Sequence, residues 1–222
     1  MKEKILVPAS RAQVQLKISN SRFISTVSPA FSVEEARAFL DEMKNTYSDA
    51  THNVPVYIIG HGASITTHCS DDGEPSGTAG RPALAVLQGS GLGDIAVVIT
   101  RYFGGTKLGT GGLVRAYSES MREVLAAVPK AEKVLCHRCS MEMPYPLYEP
   151  VKRLLLTSRT VVLEERFTEK VLLHVQIAAD SFQSLQAELG ELSRGTLQLE
   201  IERENFFALS PVSHDSDHTH SD

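Results

Sequence analysis

The segment from Arg101 to Arg115 combines five glycines with three basic side chains. Glycine lets backbone N–H groups approach an anion closely, and a helix N-terminus adds unpaired donors and a partial positive charge. The segment follows a predicted strand and begins a predicted helix. It therefore predicts a surface for the phosphate of a nucleotide or of a nucleic-acid backbone. The residues that would form this surface are Arg101, Gly104, Gly105, Lys107, Gly109, Gly111, Gly112 and Arg115.

A structural interpretation of the same glycines stays open, because glycine also permits close chain crossing and positive φ angles. The spacing matches neither the phosphate loop of nucleotide triphosphatases nor the dinucleotide-binding fingerprint. If the ligand is RNA, base stacking would have to use Tyr102, Phe103 or Tyr117, because the chain has no tryptophan.

Three carboxylates, Asp71, Asp72 and Glu74, lie within four residues of one another. Such a cluster could bind Mg²⁺ or Ca²⁺ through oxygen ligands, or supply a general acid or base. The alternative is a turn whose acids cap the following helix and pair with Arg81. The EF-hand spacing is absent and the turn is favoured, so we predict no metal and no other cofactor.

Histidine and cysteine residues give weaker candidates. His52 could act as an acid or base, but a single histidine just before a strand is more often a hydrogen-bonded structural residue. Cys69 fits no known nucleophile motif. Cys136 and Cys139 form a C-x-x-C on a predicted strand, where side chains three positions apart point to opposite faces. A single pair of this kind predicts no zinc site.

Composition narrows the functional classes. The chain has 222 residues, of which 42% are hydrophobic and 22% charged, so it can bury a core. Residues 1–132 carry 13 basic and 13 acidic residues, and residues 133–222 carry 9 and 14, which confines the net charge of −5 to the second part. This excludes a protein that coats DNA nonspecifically. The sequence shows no membrane-length apolar run and no signal peptide, which predicts a cytoplasmic location.

Apolar spacing predicts the elements of a first domain, residues 1–132. One strand is expected to continue from Val14 through Val27, and the acidic stretch is expected to lie in a long loop. The predicted elements are a strand through 14–27, a helix from Ser32 to about Tyr47, a strand at 54–59, a loop at 61–81, a helix at 82–88, a strand at 95–100 and a helix at about 112–127.

A second domain is predicted at residues 133–208, after a linker at 129–132. Its order of strands and helices is β-α-β-β-α-β, which is typical of a ferredoxin-like fold. The predicted strands are 134–143, 160–167, 170–178 and 197–204, and the predicted helices are about 146–157 and 181–192. Residues 209–222 have almost no core-forming side chains and are expected to be a disordered tail.

Three separated motifs occur in order along the chain: Ser21–Ile24, the acidic loop Asp71–Gly80, and the run Gly93–Leu113. The last contains arginine, two aromatic residues, two glycines and, after two further residues, an aliphatic residue and a glycine. Together they resemble the IMPACT/YigZ family over most of the chain, including the second domain of its bacterial members. Asn20 departs from the lysine of many relatives.

A second departure is His52-Asn53-Val54, which replaces the H-x-C of many relatives and excludes a cysteine role there. The resemblance implies an α+β protein. Its first domain would be similar to the second domain of a small-subunit ribosomal protein, and its ferredoxin-like second domain to domain V of elongation factor G. Both point to RNA and the ribosome, although by analogy of fold alone. Eukaryotic relatives act in translational control by binding a regulator of a stress kinase.

Three hypotheses follow. The first is a non-enzymatic RNA- or ribosome-binding protein in translation or RNA metabolism, with no membrane partner. The second is an enzyme on a phosphorylated small molecule or peptide, with a metal on the acidic cluster. The third is an adaptor that binds a protein partner in translational control through the sheet of the second domain. The secondary site candidates are Arg22, His52, Asp71, Asp72, Glu74 and Arg81.

Overall fold

In the computed structural model, which describes residues 5–62, 64–158 and 160–211, the chain divides into two units with separate hydrophobic cores. One unit extends to Glu132 and the other spans Lys133–Leu209. Helices and antiparallel sheets occur in both, which confirms the predicted α+β class.

The first unit is organised around an antiparallel sheet with the strand order β2-β3-β6-β4-β5. The three inner strands are apolar along most of their length because helices cover both faces of the sheet. The strands of this unit are β1 Leu6–Pro8, β2 Ala12–Ile18, β3 Ser21–Pro29, β4 His52–His61, β5 Ser64–Cys69 and β6 Ile95–Tyr102.

Three helices pack on this sheet: α1 Val33–Thr46, α2 Gly80–Gly89 and α3 Gly109–Ala127. α1 covers one face with an apolar stripe at helical spacing and is capped by Ser32, whose Oγ accepts from the Glu35 N–H at 3.1 Å. α2 and α3 cover the opposite face. The two ends of β6 therefore lie in a sheet that is fixed from both sides.

The structure corrects several local predictions in this unit. The predicted single strand is a hairpin, β2–β3, because Ser19 turns the chain with a φ of 53°. The predicted loop at 61–81 contains β5. The residues predicted as a linker begin a strand, β7 (Lys130–Met143), whose first residues Lys130–Glu132 pair with β1. The sequence did not predict β1. α3 begins at Gly109, three residues before the expected start.

The second unit has the predicted β-α-β-β-α-β order, and its strands lie in the order β10-β7-β9-β8. The elements are β7 Lys130–Met143, α4 Tyr145–Thr157, β8 Thr160–Phe167, β9 Val171–Ala178, α5 Phe182–Ser193 and β10 Glu200–Pro211. Both helices contribute to a core with residues of β7 and β9. This arrangement confirms the ferredoxin-like prediction. β10 extends into the predicted tail as far as Pro211, and the rest of that tail lies outside the described residues.

Candidate functional site

The glycine-rich segment connects the end of β6 to the start of α3, and its loop is fastened to the β2–β3 turn. A Cβ atom on Gly104 would lie 1.8 Å from the carbonyl oxygen of Asn20, so only glycine fits at this crossing. The Asn20 amide donates to Thr106 Oγ1 at 3.1 Å, and the Phe103 N–H donates to Thr51 Oγ1 at 3.0 Å. These contacts fix the loop before the helix begins.

The five glycines have different structural roles. Gly105 and Gly109 have φ angles of 84° and 70°, which residues with a side chain rarely adopt. A Cβ on Gly111 would meet no heavy atom within 4 Å, whereas one on Gly112 would lie 3.1 Å from the Leu108 Cβ. Gly104, Gly105 and Gly109 are therefore required by the fold, as the structural interpretation expects, whereas Gly111 leaves space beside the first turn of α3.

The N-terminus of α3 has no side-chain cap and no acidic residue in its first turn. Its first N–H groups are not hydrogen-bonded within the helix, and they lie at the positive end of a 19-residue helix. Lys107 and Arg115 are exposed beside it, and neither forms an ion pair within the described part of the chain. The helix end and these two side chains of the predicted anion surface are thus exposed.

Phe103, six residues before α3 begins, carries an exposed aromatic ring. Phe103 is 46% exposed, although it carries no polar group that solvation would favour. We refer to Phe103, Lys107, the first turn of α3 and Arg115 as the loop–helix surface. Arg122 lies seven positions after Arg115, and the two arginines line a shallow depression on α3 together with Glu119. Sequence reasoning missed Arg122, although its helical spacing from Arg115 was a usable signal.

Arg22 lies elsewhere. It pairs with Tyr102 in the register of β3 and β6, and its guanidinium stacks 4.2 Å from the centre of the Tyr102 ring. Successive side chains of a strand point to opposite faces, and Phe23 lies in the core beneath α2 and α3. Arg22 is therefore on the α1 side of the sheet and is not brought together with Lys107 and Arg115.

Arg101 is buried rather than facing solvent. It is 5% exposed, and its Nη1 donates to Glu74 Oε1 at 2.6 Å while its Nη2 donates to Ser21 Oγ at 3.2 Å. Its guanidinium also lies 5.5 Å from the ring centres of Phe23 and Phe103. The positive charge is thus neutralised inside the protein, which leaves Lys107 and Arg115 as the exposed basic residues of the glycine-rich segment.

Glu74 is the centre of a buried polar network. It is 7% exposed and accepts a second hydrogen bond from the Tyr117 hydroxyl at 2.8 Å, while His52 Nε2 lies 3.8 Å from its other oxygen. Burial and the neighbouring Glu74 carboxylate raise the pKa of Tyr117, so its hydroxyl stays protonated. Because Tyr117 is fully buried, it cannot stack on a base as the sequence suggested.

The other two acids also have partners within the protein. Asp71 accepts from the N–H groups of Gly77, Ala79 and Gly80 at 2.7 to 3.1 Å, which caps α2. Burial alone would raise the pKa of Asp71, but these bonds and the nearby charge of Arg81 hold it below its ordinary value. Asp72 accepts from the Asn53 N–H at 2.6 Å.

The acidic cluster is therefore the capped turn that the sequence favoured. Arg81 is exposed and does not reach an ion-pair distance from Asp71. Within residues 5–62, 64–158 and 160–211, no three His, Cys, Asp or Glu side chains are grouped to hold a metal ion. Asp71, Asp72 and Glu74 thus provide no shared metal site for the enzymatic hypothesis.

The histidine and cysteine candidates are likewise occupied or unreactive. His52 Nδ1 lies 2.7 Å from the carbonyl oxygen of Asp72 and donates to it. Burial and the Asp71 charge raise the pKa of the Cys69 thiol, and burial with Glu202 raises the pKa of the Cys139 thiol to about 11. Cys136 is buried on the same strand as Cys139. Thiolates are the reactive form of cysteine, so these thiols have little reactivity at neutral pH.

No helix in the described part of the chain combines the length and apolarity needed to cross a bilayer.

Comparison with known proteins yields matches to both units. The model of the Impact N-terminal domain matches residues 19–125, and that of a domain of unknown function, DUF1949, matches residues 141–196. The IMPACT family member YigZ of Escherichia coli K12 is 36% identical over 198 residues, which is 89% of this chain and 97% of the relative. The IMPACT family member YvyE of Bacillus subtilis 168 is 35% identical, over 82% and 83% of the two chains.

A crystal structure of a hypothetical protein matches 92% of this chain and 100% of its own, with 35% identity and a TM-score of 0.60. A structure of the two-domain translational regulator Yih1 matches 55% of this chain and 46% of its own, with 21% identity and a TM-score of 0.33. At that score the second match carries no structural or functional weight.

The buried ion pair leads to a stability prediction. We expect Glu74→Ala to lower the free energy of unfolding of the first unit by about 3–5 kcal/mol, because it leaves the Arg101 charge buried and unpaired. Hydrogen exchange at the amides of β6 measures this unit directly. The matched control is Arg11→Ala, which removes an ion pair whose side chains are 53% and 45% exposed and should cost about 0–1 kcal/mol. Equal losses in the two variants would contradict the prediction.

Asp71 leads to a pH prediction. Its folded pKa lies below its unfolded value, so its stabilisation is complete above about pH 4 and is lost as the pH falls through the folded pKa. We expect Asp71→Asn to cost about 1.5–3 kcal/mol at pH 7, with the difference from wild type shrinking toward pH 2. Denaturant unfolding at several pH values checks this. Asp41→Asn, at an exposed position on α1, is the matched control and should leave the stability at pH 7 nearly unchanged. A deficit of Asp71→Asn that stays constant with pH would refute the assignment.

Proposed function

Because the chain belongs to the IMPACT family, we propose that it acts in the cytoplasm in the regulation of translation, as a non-enzymatic protein that binds RNA. Family membership supports the role in translation, and the loop–helix surface is the place where RNA would bind. The single observation that carries it is the uncapped N-terminus of α3 beside two exposed basic side chains without ion-pair partners in the described part of the chain.

The surface has the two components that single-stranded RNA requires. Phosphate oxygens suit the open N–H groups of the first turn, the positive end of the helix and the charges of Lys107 and Arg115. A base presents a flat ring that suits the exposed face of Phe103, and such stacking tolerates any sequence. A free phosphate would use the first component only, so the aromatic ring favours a nucleic acid.

The charge balance of the chain also limits the mode of binding. The net charge of −5 rules out a diffuse electrostatic attraction, so affinity must arise from a small number of local contacts. Binding should therefore be weak at physiological salt and should depend on few phosphates. This distinguishes the proposal from nonspecific coating of nucleic acid.

We expect Lys107→Ala/Arg115→Ala to weaken binding of a labelled single-stranded RNA. The slope of log affinity against log salt should become shallower by about 1.4, since each lost phosphate contact on a single strand removes about 0.7. Fluorescence anisotropy at several salt concentrations measures this slope.

The matched control is Arg37→Ala/Arg153→Ala, which removes the same charge from exposed positions on α1 and α4. Its slope and affinity should stay near those of wild type. An equal effect in both double variants would mean that overall charge, rather than the loop–helix surface, determines binding. Salt-independent binding, or no binding by the wild type, would refute the proposal.

The aromatic component has a separate prediction. We expect Phe103→Ala to weaken RNA binding by about 1–3 kcal/mol, the usual contribution of one stacked base, with the salt slope unchanged. The control is Phe31→Ala, which removes another half-exposed ring just before α1. If the two variants bind equally well, Phe103 does not stack on a base.

A further inference from the structure

β5 is an exposed edge strand without the usual protection against pairing. Within the described residues it pairs only with β4, and the side chains of Ser64 through His68 are exposed. Edge strands normally carry charges, proline or a bulge, because their free N–H and C=O groups can pair with another chain. The six residues Ser64–Cys69 contain no lysine, arginine, acid or proline, and their register with β4 is regular.

Three other edge strands among the described residues do have such protection. β8 has a register shift between Val162 and Glu164 and carries consecutive charges through Arg166. β10 begins with four residues of which three are charged. β2 carries Lys17 and packs against α3. β5 has no charged residue, proline or register shift of this kind, so its edge is open to pairing with another chain.

The free backbone groups of β5 can be identified from the hydrogen-bond pattern. The Ser70 N–H donates to the Pro55 carbonyl at 3.2 Å, which makes this a hydrogen-bonded pair of the β4–β5 ladder. Such pairs alternate with pairs that are not hydrogen-bonded in an antiparallel ladder. The N–H and C=O groups of Ile65 and Thr67 therefore point away from β4, toward the position of an added strand.

A cavity of about 650 Å³ lies on the same side of the strand as the side chains of Ile65 and Thr67. Ile58 and Leu92 also line it, and Gln88 from the end of α2 adds a polar group. This volume falls within the range of pockets that hold a ligand. An extended chain beside β5 would direct every second side chain toward this cavity.

The part of the cavity wall formed by Gly60 and His61 is held by contacts within the protein. Asp94 is 1% exposed, accepts from the Gly60 N–H at 2.8 Å and lies 3.1 Å from His61 Nε2. A Cβ on Gly93 would lie 2.5 Å from the His61 ring, so glycine is needed for this contact. The hairpin between β4 and β5 is thus anchored to the start of β6, which reduces the ordering cost of binding.

We propose that β5 binds an extended, uncharged segment of a partner protein by strand addition, with an apolar side chain of that segment in the cavity. Main-chain hydrogen bonds to Ile65 and Thr67 provide affinity, and the cavity selects the side chain. The site is at the Ile95 end of β6, roughly 23 Å from the Tyr102 end that leads to the loop–helix surface. It therefore does not depend on the proposed RNA binding.

A second copy of this chain fits the site less well than another protein. If two copies paired through β5, the only aliphatic side chain that the partner strand could offer is Ile65. In each copy that side chain already lines its own cavity. One isoleucine does not fill a cavity of about 650 Å³, whereas a partner segment can carry a larger apolar residue.

The probe is a phage library of random decapeptides selected on the full-length protein. We expect enriched peptides with apolar residues at alternate positions and few charges. A selected peptide, made synthetically, should bind Ile65→Lys at least tenfold more weakly than wild type. It should bind Thr66→Lys within twofold of wild type, because that side chain points to the opposite face of the same exposed strand.

Hydrogen exchange of the wild-type protein supplies a second readout that does not depend on a variant. The amides of Ile65 and Thr67 should exchange at least tenfold more slowly when the peptide is bound. Failure to enrich peptides, equal binding by Ile65→Lys and Thr66→Lys, or unchanged exchange at these amides would overturn the proposal. A concentration-dependent dimer that Ile65→Lys abolishes would overturn it as well, since the occupant would then be a second copy.

Discussion

The buried contact between Glu74 and Arg101 is the constraint on which the functional end of the first unit depends. The two charges come from a loop and from the end of β6, and each would be costly to bury alone. The Tyr117 hydroxyl adds a bond from α3, so three elements meet at one carboxylate. Replacing such a pair by apolar groups can be neutral for stability. Here the pair has a geometric role, because it holds the end of β6 and, through Tyr117, the helix α3 at one carboxylate.

That geometry explains why the residues of the family motif are not all functional residues. Arg101 and Glu74 belong to the motifs that carry the family resemblance, yet the structure uses both to hold the acidic loop on the sheet. Gly104 is equally a packing residue, because the Asn20 carbonyl occupies the space of a side chain. Lys107 of the same segment is exposed and forms no ion pair within the described part of the chain, and the Phe103 ring stays half-exposed although its backbone N–H helps to hold the loop. A motif of this kind identifies a fold first, and a binding surface only through the residues that remain exposed.

Periodicity was sufficient where an element buries one face and insufficient elsewhere. The stripe of α1 and the alternation of the second unit were predicted because burial imposes a repeat on the sequence. β5 was missed because it is exposed along its length, so burial imposes no apolar repeat on it, and its polar threonines and histidine are typical of a loop. Glu74 and Arg101 pair although they lie 27 positions apart in two different motifs. Local spacing in the sequence does not show which charged residues of distant motifs form an ion pair.

Each of the two proposed surfaces would bind its partner weakly alone, and binding through both would raise the affinity. Two exposed cations and one helix end would give few phosphate contacts, so the proposed RNA affinity would fall with salt and be low under physiological conditions. Strand addition to a short edge likewise buries little surface. Because the β6 strand joins both surfaces within one rigid sheet, a partner that engages both gains an effective concentration for the second contact and exceeds either affinity. An assembly that presents RNA beside an accessible protein segment is the kind of target for which this arrangement is suited.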